Sequence, residues 1–135
     1  MVTAEYFLFC ESKAQGDAGQ LSLQNIFDKV YASDFPASQR PFMIVTRLTP
    51  QSKALLNQDV KINIKSSLNG EEINGLEALI QNVTVEMGNG AGLGFDVSQF
   101  IFPKAGDYTF TLLINDKEAA SKILQVRSTA ELSEN

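Results

Sequence analysis

Asp59-Val60-Lys61-Ile62-Asn63-Ile64-Lys65-Ser66 decides the fold class. Val60, Ile62 and Ile64 fall on one side and Lys61, Asn63 and Lys65 on the other, the period of two expected of a strand with one face in a core and one in water. The same alternation covers Thr3–Glu11, Leu21–Phe27, Phe42–Thr49, Ala78–Met87, Leu93–Phe102, Asp107–Asn115 and Ala120–Arg127, giving about eight strands. Asn69-Gly70, Asn74-Gly75 and Asn115-Asp116 stand between these patterns and carry the turn chemistry of hairpins, so antiparallel pairing is expected. No stretch sustains a helical apolar stripe; Ser52–Leu56 offers one turn at most. Without crossover helices, parallel βαβ units are excluded.

The chain has 135 residues, of which 44% are hydrophobic and 20% charged, a composition for one soluble domain with a full core. A chain of this size buries about two thirds of its unfolded surface, so no disulfide or metal is needed to hold it. Neither repeat nor linker divides it. The reading is a single domain over residues 1–127, with a polar, acidic tail over 128–135 that frays.

The same composition removes whole classes of chemistry. There is no histidine, hence no imidazole base, ligand or triad. Cys10 is the single cysteine, so intrachain disulfides and cysteine-built zinc or iron–sulfur sites are excluded, and a reducing compartment fits. The net charge is −5 and the basic residues are scattered singly, which argues against a nucleic-acid groove and against an anionic membrane surface. Met-Val-Thr-Ala-Glu-Tyr lacks a basic leader, and the apolar run Tyr6–Cys10 is too short to span a membrane, so a cytoplasmic location is expected. No cofactor is expected.

Several local patterns invite functional readings. Gly88-Asn89-Gly90-Ala91-Gly92-Leu93-Gly94 follows a strand, but neither dinucleotide nor P-loop spacing fits it and Phe95-Asp96-Val97-Ser98 continues as strand; a flexible connection is expected. Glu71-Glu72 reads as a solvated hairpin tip, because adjacent strand residues point to opposite sides. Asp17, Asp28, Asp34 and Asp59 are isolated and form no calcium loop, so no metal is expected. Cys10, on an apolar strand face with Ala4, Tyr6 and Leu8, reads as a buried thiol. Asn82-Val83-Thr84 matches a glycosylation acceptor by coincidence within a strand.

Glu5, Phe7, Phe9 and Glu11 alternate onto the opposite face. If the glutamates mark solvent, Phe7 and Phe9 form an apolar patch suited to a protein partner or a second subunit; alternatively Phe27, Tyr31 or Phe35 folds over them. Pro103-Lys104-Ala105-Gly106-Asp107-Tyr108-Thr109-Phe110 resembles the tyrosine corner of immunoglobulin-like domains, with Tyr108 two residues before Phe110, where antibody domains place a cysteine. No partner cysteine and no tryptophan accompany it, so the resemblance is one of sandwich and corner.

Ala4–Ser12, Leu21–Asp28, Phe35-Pro36-Ala37 and the Pro-x-x-Gly-Asp-Tyr segment together resemble a bacterial family known only as a domain of unknown function. That resemblance implies a fold and no mechanism. The expectation is an all-β, antiparallel, immunoglobulin-like sandwich acting as a non-catalytic binding or assembly module through strand edges, loops or the Phe7/Phe9 patch. The rivals are a histidine-free enzyme using carboxylates such as Asp28 with Asp96 on a small or sugar-like ligand, and a subunit of a larger bacterial assembly.

Overall fold

The computed structural model describes residues 2–15, 21–38, 41–50, 58–73, 81–85, 91–97 and 100–130. Twelve strands run through them: β1 (Val2–Gln15), β2 (Leu21–Phe27), β3 (Lys29–Ala32), β4 (Ala37–Ser38), β5 (Phe42–Pro50), β6 (Gln58–Leu68), β7 (Glu71–Ile73), β8 (Gln81–Val85), β9 (Ala91–Val97), β10 (Ile101–Phe102), β11 (Gly106–Ile114) and β12 (Lys117–Ser128). One sheet has the order β2-β1-β5-β9. The other has the order β3-β12-β11-β6-β7, with β8 also on β6, and β4 and β10 form a separate two-stranded ribbon. The chain is an all-β sandwich.

The strand count exceeds the eight read from alternation because β3, β4 and β7 are too short to show a period and Leu93–Phe102 divides into β9 and β10. One pairing is parallel: Val30 and Tyr31 of β3 lie beside Val126 and Arg127 of β12. Most of the chain connects those two strands, so no crossover helix is required. Gly92 and Gly94, expected in a flexible connection, belong to β9. Asn69-Gly70 and Asn115-Asp116 turn with φ of 54° and 84°, and of 51° and 66°, the doubly left-handed geometry that suits the twist of a two-residue hairpin. Asn115 also extends the sheet: its N–H donates to the Lys61 carbonyl and its Oδ1 accepts from the Lys61 N–H, both at 2.9 Å. Asn74-Gly75, Ser52–Leu56, Gly88–Gly90 and Asp17 lie outside the described residues. Of the expected tail, Ser128 closes β12 against Ala32, and residues 131–135 lie outside the described ones.

The core fills the space between the sheets. Phe42, Ile44 and Leu48 of β5 and Phe95 and Val97 of β9 face Ile62 and Ile64 of β6, Tyr108, Phe110 and Leu112 of β11, and Leu124 and Val126 of β12. Phe7 and Phe9 belong to this core, at 6% and 0% exposure, and the reading of them as a surface patch is corrected.

The physical reason is a β-bulge. The ladder with β5 passes from Ala4↔Leu48 to Tyr6↔Arg47, so Glu5 is an extra residue and the alternation slips by one. Val2 and Ala4 point inward before the slip, and Phe7 and Phe9 after it. Buried Thr46 fixes the irregularity by donating its hydroxyl to the Tyr6 carbonyl at 2.6 Å. Phe27 packs on Phe9 at 6.2 Å, as the capped alternative expected, but the nearest ring is Phe110 of the opposite sheet at 5.1 Å, and Tyr31 is 40% exposed.

Candidate functional site

Beyond Cys10 the ladder with β5 ends and the β1–β2 hairpin bends over the outer face of its own sheet. Opposite Glu11, Asn25 adopts a φ of 55° and donates its amide to the Glu11 carboxylate at 2.8 Å, which marks the bend. Lys13 shows where the arm goes: a Cβ placed on Gly94 of β9 would sit 2.8 Å from Lys13 Nζ and from Met43 Cε. On a straight strand Lys13 would stand about 16 Å beyond Leu8 and about 10 Å to the side of β9, more than its side chain spans. The bend accounts for the burial of Cys10 and Val45 on the outward side of the sheet. Burial pushes the Cys10 thiol up, with the Lys13 ammonium and a backbone hydrogen bond at Ser12 pulling the other way, which favours the protonated thiol.

The edges of the two sheets differ. A sheet edge presents unpaired N–H and C=O groups, and proteins blunt it with charge, brevity, bulges or inward lysines. β2 carries left-handed Asn25, β3 has four residues, and β7 has three with Glu71 and Glu72 exposed. The half of β12 before its pairing with β3 holds Lys122 opposite buried Phe110 and a register shift opposite Leu112/Leu113. β9 has no register shift and no left-handed residue, and its one charged residue is Asp96. It is seven residues long, pairs with β5 along its whole length, and has no strand on its other side among the described residues. Its inward side chains are Leu93, Phe95 and Val97. Its outward positions are Gly92, Gly94 and Asp96, so the outer face at this edge is a floor without side chains until Asp96. Two cations lie over that floor: Lys13 at Gly94, and Arg47, whose Nη1 is 4.0 Å from a Cβ placed on Gly92 and whose Nε is 3.4 Å from Glu5.

A cleft of about 550 Å³ opens at the end of the sandwich, floored by Val2, Val60 and Ile114 and rimmed by Asn115, Lys117 and Glu118. Glu118 is the one carboxylate among its described lining residues, whereas glycoside chemistry of the usual kind needs two. Asp28 and Asp96 do not converge: they follow Phe27 and Phe95, which stand at opposite edges of the row Phe27-Phe9-Ile44-Phe95, about 14 Å across. No group of three or more potential metal ligands occurs among the described residues.

Tyr108 serves structure. Its ring is fully buried, and its hydroxyl donates to the Lys104 carbonyl at 2.6 Å while lying 3.3 Å from the Lys104 N–H. Burial raises its ionisation above the usual phenol range, against the Lys104 backbone contact.

The model of a family of unknown function, DUF6941, matches residues 5–127, from the bulge in β1 into the parallel β3–β12 pairing. The chain belongs to that family. No curated protein matches it. The family match spans the described strands of both sheets and contains Tyr108, Asp96 and the two glycines of β9. No helix among the described residues is long and apolar enough to cross a membrane.

Sequence reasoning found the strand from Leu93 onward but read the glycines at its start as loop residues, and strand order, which makes β9 an edge, was not legible. Its signal was present in the alternation Leu93-Gly94-Phe95-Asp96-Val97, with glycine in the outward positions.

Proposed function

We propose that the protein is a non-catalytic assembly module that joins protein chains by adding a strand to the open edge of β9. The observation that carries this reading is the contrast among edges: β9 is seven residues long, β8 only five, and among the described residues β9 has no strand on its outer side, no register shift, no left-handed residue and a single charge, Asp96. Strand addition takes its affinity from main-chain groups at an unpaired sheet edge, and β9 presents such an edge among the described residues. Net charge −5 and scattered basic residues favour a protein partner over nucleic acid or an anionic membrane.

The test is recovery of the tagged protein from its own host at low salt, read by mass spectrometry, for the wild type and for Gly92→Lys. Gly92 is exposed and has space for a side chain, so the lysine shields the edge without entering the core. A stoichiometric protein held by the wild type and lost from the variant is the expected result. Equal recovery by both removes the edge as the binding surface.

A further inference from the structure

We propose that a second copy of this chain is the strand that β9 accepts, antiparallel and two-fold symmetric, with Asp96 of each copy beneath Lys13 of the other. The inference rests on the assembly reading above and names its partner.

Symmetry and charge narrow the pairing. Leu93, Phe95 and Val97 face the core and must stay on that side of a continuous sheet, so an inward residue can only oppose an inward residue. The two-fold axis then passes through a residue of β9. Centred on Asp96, it would set two carboxylates directly opposite each other. Centred on Gly94, it would bring the two Lys13 ammonium groups together above the glycines. Like charges in opposed positions oppose pairing in both cases. Centred on Phe95, both conflicts vanish: Asp96 stands opposite Gly94 of the second copy, about 5 Å away across the ladder, in the space Lys13 Nζ overhangs. Phe95 meets Phe95, and Leu93 meets Val97. Neither Asp96 nor Lys13 has an ion pair among the described residues. The absence of a side chain at Gly94 is what admits both groups.

Such a contact lies at the small end of protein interfaces, below about 1,200 Å², so a dissociation constant on the order of 1–100 µM is expected, weakening as salt screens the two ion pairs.

Sedimentation equilibrium on the full chain tests it. The wild type should dimerise at low salt, and Asp96→Lys and Lys13→Glu should each be monomeric, because each opposes like charges across the axis. Mixed, the two variants should form a one-to-one heterodimer, which simple loss of folding could not produce. Arg47→Glu should leave dimerisation within about threefold of the wild type, since Arg47 lies farther from the axis. A wild type monomeric at 200 µM overturns the proposal, as does a dimer indifferent to Asp96→Lys, a failed heterodimer, or a dependence on Arg47 in place of Lys13. A monomeric wild type that still loses a different stoichiometric partner on Gly92→Lys would remove the second copy and leave the assembly reading standing.

Discussion

Two aromatic clusters hold the sandwich, and they hold it differently. Around Phe9, the rings of Phe27, Phe42 and Phe110 lie 5.1–6.2 Å away, tilted or edge-on, and no polar atom takes part. Around Tyr108, the rings of Phe102 and Phe100 lie 5.0 and 6.4 Å away, and the hydroxyl is tied to the Lys104 backbone. Phe110 touches both Phe9 and Phe100, so the clusters are one layer with two chemistries. The first resists only loss of volume. The second also fixes a direction, pinning the Pro103–Gly106 corner where the chain enters β11.

Phe9→Ala should be the most damaging single change, costing about 3–5 kcal/mol, since it empties a fully buried ring site between two sheets that cannot collapse onto each other. A fall in the urea midpoint within the range of surface variants would return Phe9 to the solvent side and undo the bulge.

Tyr108→Phe should cost about 1–3 kcal/mol, because it keeps the ring and orphans the Lys104 carbonyl. This variant also separates the clusters by pH. The folded phenol ionises above its unfolded value near 10, so its contribution is complete below that pH and is lost as pH rises toward the folded value. The wild type should therefore lose stability above pH 10 more steeply than Tyr108→Phe. Parallel curves would show that the hydroxyl is no more constrained in the folded state than in the unfolded chain.

The two clusters also differ in how far a sequence reveals them. Tyr108 was readable because a corner is local: proline, glycine, aspartate and tyrosine within six positions specify the turn and its hydrogen bond. Phe9 was not, because its side of the strand depends on Glu5, a bulge residue that no local composition distinguishes from a surface residue in register. With apolar residues on both faces from Tyr6 to Cys10, no clean alternation survived to show the slip. The sandwich class was readable from β6, whose lysines and isoleucines alternate without fault. The edge at β9 was hidden for a further reason: edges are defined by absent neighbours, and strand order is not a local property.

Thr46→Val should cost about 1 kcal/mol, the usual net value of one hydrogen bond, by releasing the Tyr6 carbonyl at the bulge that turns Phe7 and Phe9 inward. Its signature is local. Amide hydrogen exchange should quicken at residues 4–7 and stay unchanged at Lys104–Tyr108. Uniform quickening across both clusters would mean that the bulge and the corner open as one unit.

Tyr31→Ser should have the smallest effect. Tyr31 is one of the three aromatic residues that sequence offered as a cover for Phe7 and Phe9, but unlike Phe27 it sits on the outward side of its strand, β3, opposite Arg127, with Val30 taking the inward position beside Val126. Arg127 already has the Asp107 carboxylate at 2.7 Å and does not depend on the ring. A solvent-facing aromatic on a four-residue edge strand buries little on folding, so the change should stay within about 0.5 kcal/mol by urea denaturation. A cost near that of Tyr108→Phe would place Tyr31 inside a third aromatic cluster and would extend the core beyond the two sheets.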